Sequence, residues 1–221
     1  AYLYRKRSAA FTAAGLRVVA PDWFGFGRSD KPQDDGWYSF ERHRNSMLDF
    51  IAQLDLRNVL LVVQDWGGLL GLTLPLDTPE RYTRLLVMNT GLGLGTVTEG
   101  FKQWRAYANS QPDLAVGRLI RRGTPHLTEA EAAAYDAPFP EARFKAGVRR
   151  FPNLVPDGEN APGAALGREA MAFRRDRWSG DSFMAIGMQD PVLGEAPMRS
   201  LQKIIRGCPP PPADLMQGLL W

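Results

Sequence analysis

Cysteine and histidine are scarce in this chain of 221 residues. There is one cysteine, Cys208, and there are two histidines, His43 and His126. A single cysteine excludes a disulfide within the chain and gives no support for a zinc site built on cysteines. No other group of residues has the spacing of metal ligands, so we expect no bound metal.

Long apolar runs and blocks of like charge are also missing. No apolar run reaches the roughly 18 residues that a membrane span requires, and the first residues, AYLYRKR, lack the apolar core of a signal peptide. The 27 basic residues barely exceed the 24 acidic ones, and the arginine groups alternate with apolar residues as on solvated helix faces. The sequence therefore predicts a soluble cytoplasmic protein that binds neither membranes nor nucleic acid.

The order of apolar patterns indicates an α/β fold. With 44% hydrophobic and 23% charged residues the chain has an ordinary globular composition, which argues against disorder. Helical periodicity alternates with short apolar runs, as expected for a mostly parallel sheet. These runs predict buried strands at 17–22, 59–64, 84–89 and 182–188.

A long stretch without strand patterns interrupts this alternation. Residues 91–164 contain amphipathic helical segments and segments rich in proline and glycine. We therefore predict three segments, which are the first part of an α/β core (1–90), a helical cap (91–164) and the second part of the core (165–221).

Asp65 stands between a predicted buried strand and a predicted helix, and Trp66, Gly67 and Gly68 follow it. This is the setting of a nucleophile elbow, a sharp turn that lifts one side chain above the sheet and needs small neighbours. A carboxylate there can form an ester with a substrate carbon, and a helix N-terminus favours its ionised form. The alternative is that Asp65 only caps the helix, a common role of aspartate.

Four segments, taken in order, resemble the haloalkane dehalogenases of the α/β-hydrolase fold. They are APDWFGFGRSDKP (20–32), VVQDWGG (62–68), LTEAEAAAYDAPFP (127–140) and FMAIGMQDPVLG (183–194). The resemblance implies that a small halogenated hydrocarbon and water react to give an alcohol and a halide. It implies no cofactor, because the carboxylate and water suffice for this chemistry.

The resemblance also implies roles for individual residues. Asp65 would displace the halide, Trp66 would donate its indole N–H to the halide, and the backbone N–H of Trp66 would supply half of an oxyanion hole. Some members place a second halide-binding tryptophan where this chain has Gly123, and Trp104 is the best substitute. Each tryptophan has core packing as its alternative.

Asp190 follows the last predicted strand and precedes Pro191. In the family this position carries the acid that orients a catalytic histidine, while the alternative is a turn aspartate. No histidine follows Asp190, and neither His43 nor His126 matches the family's base by motif. The resemblance implies an incomplete core that begins after the family's His-Gly-x-Pro loop and ends, at GCPPPPADLMQGLLW, before the base.

Two other interpretations remain open from the sequence. An epoxide hydrolase shares the aspartate nucleophile and would use cap tyrosines, for which Tyr107 and Tyr135 are available. An inactive, truncated remnant is the non-enzymatic alternative.

Overall fold

The structure, a computed structural model, describes residues 1–211. The described residues form two compact units, of which the first comprises Ala1–Tyr38 and Ala106–Asn153 and the second Ser39–Arg105 and residues 154–211. The predicted boundaries of the cap stay a prediction. The end of the predicted second core segment, residues 212–221, lies outside the described residues.

Helices and three strands make up the regular structure of residues 1–211. The strands are β1 (Val59–Asp65), β2 (Tyr82–Thr90) and β3 (Asp181–Ala185). The α-helices are α1 (Arg5–Ala13), α2 (Phe40–Gln53), α3 (Trp66–Gly71), α4 (Glu99–Asn109), α5 (Val116–Gly123), α6 (Glu129–Asp136), α7 (Ala146–Arg150), α8 (Ala164–Asp176) and α9 (Glu195–Ile204). Within the described part of the chain no helix is both long and apolar enough to cross a bilayer.

The three strands form one parallel sheet in the order β1-β2-β3, in the second unit. Leu86 at the centre of β2 pairs with Val62 of β1 and with Phe183 of β3. Because the strands are parallel, their carboxyl ends share one edge of the sheet, where α/β proteins place their sites. The predicted parallel sheet is confirmed.

Buried side chains of the sheet and its covering helices form the core of this unit. Val63, Val87 and Met184, one from each strand, are almost completely buried. Phe173 of α8 and Met198 of α9 belong to the same cluster. The three strands, whose carboxyl ends share one edge of the sheet, are therefore held in a well-packed core.

Local hydrogen bonds explain where two of the predicted helices begin. The Ser39 side chain accepts a hydrogen bond from the N–H of Arg42 (3.1 Å), so α2 starts at Phe40 as predicted. Thr128 and Glu131 form a capping box at the start of α6, in which each side chain binds the other residue's backbone N–H.

The strand predicted at residues 17–22 is wrong. This segment follows the left-handed turn at Gly15 (φ +78°) and has neither helical nor strand pairing. A β-branched apolar run favours an extended backbone, but a strand also requires a neighbouring strand in register. Residues 17–22 make no such pairing with any described residue.

Candidate active site

Asp65 occupies a strained turn between β1 and α3. Its backbone angles are φ +50° and ψ −124°, and the next residue, Trp66, is already helical. A positive φ is unfavourable for a residue with a side chain, and such strain is concentrated at functional sites. The chain thus forms the predicted elbow, with the Asp65 side chain at the carboxyl edge of the sheet.

Gly68, and not Gly67, makes the tight turn possible. A Cβ atom on Gly68 would collide with the Thr90 side chain, whereas one on Gly67 would meet no atom within 4 Å. Gly71, one turn further, is also constrained, because a Cβ there would lie 2.8 Å from Cγ1 of Val63. The expectation that Gly67 is needed to avoid a clash is therefore wrong.

The carboxyl group of Asp65 lies in surroundings that disfavour its charge. Its pKa is raised to about 6, mainly by burial; a hydrogen bond from the backbone N–H of Trp66 opposes this rise, and the negative charge of Asp190 makes a smaller addition to it. The predicted stabilisation of the ionised form at the helix start is thus present but outweighed by burial. Apart from this contact with the N–H of the adjacent Trp66, the Asp65 side chain makes no capping bond to α3, which does not support the helix-cap alternative.

Asp190 is held by three hydrogen bonds just beyond the end of β3. Its Oδ1 accepts from the N–H groups of Val192 and Leu193, both at 2.8 Å, and its Oδ2 accepts from Nδ2 of Asn89 at 3.2 Å. Asp190 is therefore a turn aspartate that is also tied to β2. The structure brings it close enough to Asp65 for its charge to be felt there; its role as the acid stays a prediction.

The indole ring of Trp66 packs on the buried ring of Phe40. The two ring centroids are 6.3 Å apart and the planes are inclined by 51°. The backbone of Gly163 lies against the Phe40 ring, since a Cβ on Gly163 would come within 2.8 Å of it. Trp66 therefore has a packing role, and its halide role stays a prediction.

Trp104 lies on α4 and is half-buried. Gly100, one turn earlier on the same helix face, approaches the loop after Asp190 so closely that a Cβ would lie 2.6 Å from the carbonyl oxygen of Pro191. This face of α4 therefore borders the Asp190 loop. The role of Trp104 in halide binding stays a prediction.

The two cap tyrosines of the epoxide hydrolase alternative are engaged within the first unit. The guanidinium of Arg122 stacks 5.5 Å from the Tyr107 ring centroid. Tyr135 packs edge-on against Tyr2 and accepts a 3.4 Å hydrogen bond from Arg5. Nothing in these contacts supports an acid role for either tyrosine.

The two histidines differ in their surroundings. His43 lies in α2 and is almost completely buried, and burial, with a smaller contribution from Arg42, lowers its pKa to about 4. It is therefore neutral at pH 7. His126 is exposed in the first unit.

Sequence reasoning missed Asn89 and Thr90, the last two residues of β2. Asn89 is only 3% exposed, binds Asp190 and exchanges two hydrogen bonds with the backbone of Gly187. The hydroxyl of Thr90 donates to the backbone carbonyl of Asp65 at 2.5 Å. Two polar residues at the carboxyl end of an apolar strand are the pattern that could have indicated them.

Known proteins similar to this chain place it in a family. The family described as having the alpha/beta hydrolase fold matches residues 1–210. A haloalkane dehalogenase of Psychrobacter cryohalolentis is 42% identical over 209 residues, and haloalkane dehalogenase 1 of Mycobacterium tuberculosis is 42% identical over 198. The alignments cover 93% and 88% of this chain, and 68% and 66% of those proteins.

A solved structure gives the same result. The tetrameric haloalkane dehalogenase DpaA of Paraglaciecola agarilytica superposes with a TM-score of 0.93 at 49% identity, covering 98% of this chain and 72% of that one. The chain thus spans about two thirds of the length of the curated relatives that it matches. This 221-residue chain belongs to the haloalkane dehalogenases, hydrolases of the α/β-hydrolase fold that act on carbon–halogen bonds.

Proposed function

We propose that Asp65 attacks the halogen-bearing carbon of a small haloalkane and forms an alkyl ester. One carboxylate oxygen forms a bond to this carbon, and the electron pair of the carbon–halogen bond leaves with the halide. The observation that carries the proposal is the half-buried Asp65 carboxyl at the positive-φ turn after β1.

The surroundings of Asp65 suit this attack. With its pKa at about 6, the group is mostly ionised at pH 7. The burial that raises the pKa also removes water that would otherwise shield the carboxylate from the substrate carbon. The backbone N–H of Trp66 orients the carboxyl group through its hydrogen bond.

Hydrolysis of the ester is the second half of the proposed reaction. Water attacks the ester carbonyl carbon, a base accepts the water proton, and the alcohol leaves as Asp65 is regenerated. Asp190 would orient the base and stabilise its cation. Since no histidine follows Asp190 in this sequence, we propose that the ester persists in the 221-residue chain.

The first step is tested by incubating the chain with 1-bromobutane at pH 7.5. We expect release of one bromide per chain and a butyl group on the peptide that contains Asp65, both measured in the same sample. Asp65→Asn should abolish both, because an amide is a poor nucleophile. Asp49→Asn, at an exposed aspartate of α2, is the matched control and should react like the parent.

Bromide release by the Asp65→Asn variant would overturn this assignment. So would a parent chain that is folded by circular dichroism yet takes up no butyl group.

We further propose that Trp66 and Trp104 donate their indole N–H groups to the departing halide. The position of Trp66 next to Asp65 supports the first assignment, and the face that Trp104 shares with Gly100 supports the second. Replacing Trp104 by phenylalanine removes the donor but keeps a ring. We expect bromide binding, followed by tryptophan fluorescence, to weaken about tenfold or more.

The control is Trp37→Phe, at a tryptophan of the first unit, which should leave bromide binding unchanged. Equal bromide affinity of the parent and Trp104→Phe would exclude Trp104 as a donor. A cytoplasmic location and the absence of nucleic-acid binding stay predictions from the sequence.

A further inference from the structure

The end of β2 is bonded to both segments that carry the carboxyl groups. Thr90 is in register with Asp65, and its hydroxyl donates to the Asp65 carbonyl oxygen at 2.5 Å. Asn89 donates from Nδ2 to the carbonyl of Gly187 (2.9 Å) and to Oδ2 of Asp190 (3.2 Å). Its Oδ1 accepts from the N–H of Gly187 at 2.7 Å.

The Asn89 side chain continues the pairing where the regular ladder stops. Pairing of β2 with β3 ends at Met88 and Ala185. Two residues beyond Ala185, the Asn89 amide binds both the N–H and the carbonyl of Gly187, as a neighbouring strand would. The chain after β3 is therefore bonded to β2 up to the loop that contains Asp190.

The two oxygens of Asp190 are held by different parts of the fold. Oδ1 is bound within its own turn by the N–H groups of Val192 and Leu193. Oδ2 is bound from β2 by Asn89. The orientation of Oδ2 relative to Asp65 thus depends on the Asn89 amide.

We propose that Asn89 and Thr90 are positioning residues that together set the separation of the Asp65 and Asp190 carboxyl groups. Thr90 acts on the backbone of Asp65, and Asn89 acts on the side chain of Asp190. The inference deepens the proposed function, and a catalytic role for the two residues rests on that function. The hydrogen bonds themselves, and the titration that tests them, do not depend on whether the chain turns over a haloalkane.

A measurable consequence follows from the charge of Asp190. The negative charge of Asp190 raises the pKa of Asp65. Burial also raises this pKa, and the hydrogen bond from the N–H of Trp66 lowers it. Loss of the Asn89 amide frees the Asp190 loop from β2 and increases its average distance from Asp65. The Asp65 titration midpoint then falls from about 6 toward the ordinary value of 3.8.

The experiment is a carboxyl-carbon NMR titration of the 221-residue chain without any haloalkane. The Asp65 resonance is assigned by its loss in Asp65→Asn. We expect the midpoint to fall in Asn89→Leu, and to fall by at least as much in Asp190→Asn. Asn109→Leu, which removes a mutual hydrogen-bonded pair with Asn153 at the surface, is the matched control and should leave it unchanged.

A double-mutant cycle separates positioning from a general structural effect. On the Asp190→Asn background, Asn89→Leu should cause no further fall, because it acts through the Asp190 charge. A fall of the same size on both backgrounds would overturn the proposal, as would an unchanged or higher midpoint in Asn89→Leu. If Asn89→Leu does not fold, Asn89→Ser serves, because a serine hydroxyl is too short to bridge to Gly187 and Asp190.

Thr90 is tested in the same titration. Thr90→Val keeps the side-chain shape beside Gly68 but removes the hydroxyl, and we expect a lower midpoint. Thr90→Ser keeps the hydroxyl and should restore the parent value. Failure of the proposed function would appear separately, as a chain that shows these shifts but takes up no butyl group on Asp65.

Discussion

Asp65 combines two features that each lower the stability of the folded chain. Its φ of +50° places a side-chain-bearing residue in the left-handed region, and its carboxyl group is desolvated. A residue that only capped a helix would need neither feature, since caps have an extended backbone and a solvated oxygen. Backbone strain and desolvation together therefore argue for a reactive role.

The first prediction concerns the glycines of the elbow. Gly68→Ala should lower the free energy of unfolding by about 1–3 kcal/mol, because its methyl group would collide with Thr90. It should also slow butyl transfer to Asp65, because relief of the collision moves the turn. Gly67→Ala is the matched control, since open space surrounds that position, and its stability should be unchanged or higher.

Chemical denaturation of both variants, with butyl transfer measured alongside, checks this prediction. Equal losses of stability for Gly67→Ala and Gly68→Ala would contradict the assignment of Gly68 as the required glycine.

At the scale of elements, β2 is the strand that organises the site. It pairs with both neighbours, and its last residues contact the elbow and the Asp190 turn. The helices depend more on local sequence, as the serine cap of α2 and the capping box of α6 show. Helix starts are thus set by neighbours in sequence, whereas the site is set by neighbours across the sheet.

The second prediction concerns the capping box of α6. Thr128→Ala removes the oxygen that accepts from the N–H of Glu131 (3.2 Å). We expect the free energy of unfolding to fall by about 1 kcal/mol, the usual cost of losing a helix cap. Thr128→Ser keeps that oxygen and is the control, which should lose much less.

Thermal and denaturant unfolding measure this difference. If Thr128→Ala and Thr128→Ser were equally destabilised, the loss would come from the threonine methyl group and not from the cap.

At the scale of the whole molecule, two buried groups make opposite contributions to the pH dependence of stability. Asp65 has a folded-state pKa of about 6 against an ordinary 3.8, so it lowers stability as the pH rises through this interval. His43 has a folded-state pKa of about 4 against 6.5, so stability is lost as the pH falls through that interval. The two effects oppose each other between about pH 4 and pH 6.

The third prediction isolates the contribution of Asp65 to the pH dependence of the free energy of unfolding. The free energy of unfolding of Asp65→Asn, minus that of the parent, should be constant below about pH 3 and rise by about 3 kcal/mol by pH 7. Above pH 6 the parent must keep a desolvated carboxylate charged, whereas the asparagine carries no charge. Urea denaturation across this pH range measures the difference, and titrating groups that do not interact with Asp65, His43 included, cancel in it.

Asp49→Asn, at an exposed aspartate, is the control. Its free energy of unfolding minus that of the parent should change little with pH. A flat difference for Asp65→Asn would mean that Asp65 is solvated in the folded chain.

Much of the architecture was predictable because its causes are local. Apolar runs at 59–64, 84–89 and 182–188 became strands, and Ser39 and Thr128 capped helices where their spacing predicted. The run at 17–22 has similar composition but is not a strand, since its residues pair with no other described strand. Composition determines which segments can extend, while pairing decides which of them become strands.

The sequence by itself determined that an aspartate follows a buried strand and opens a helix, and which family the segments resemble. Only the tertiary structure decided that Gly68 and not Gly67 is the constrained glycine, and that burial outweighs the helix start at the Asp65 carboxyl. It also brought Asn89 and Thr90 between Asp65 and Asp190, which lie 125 positions apart in the chain. Clashes, desolvation and hydrogen bonds between strands depend on distances in space, which residue order alone does not specify.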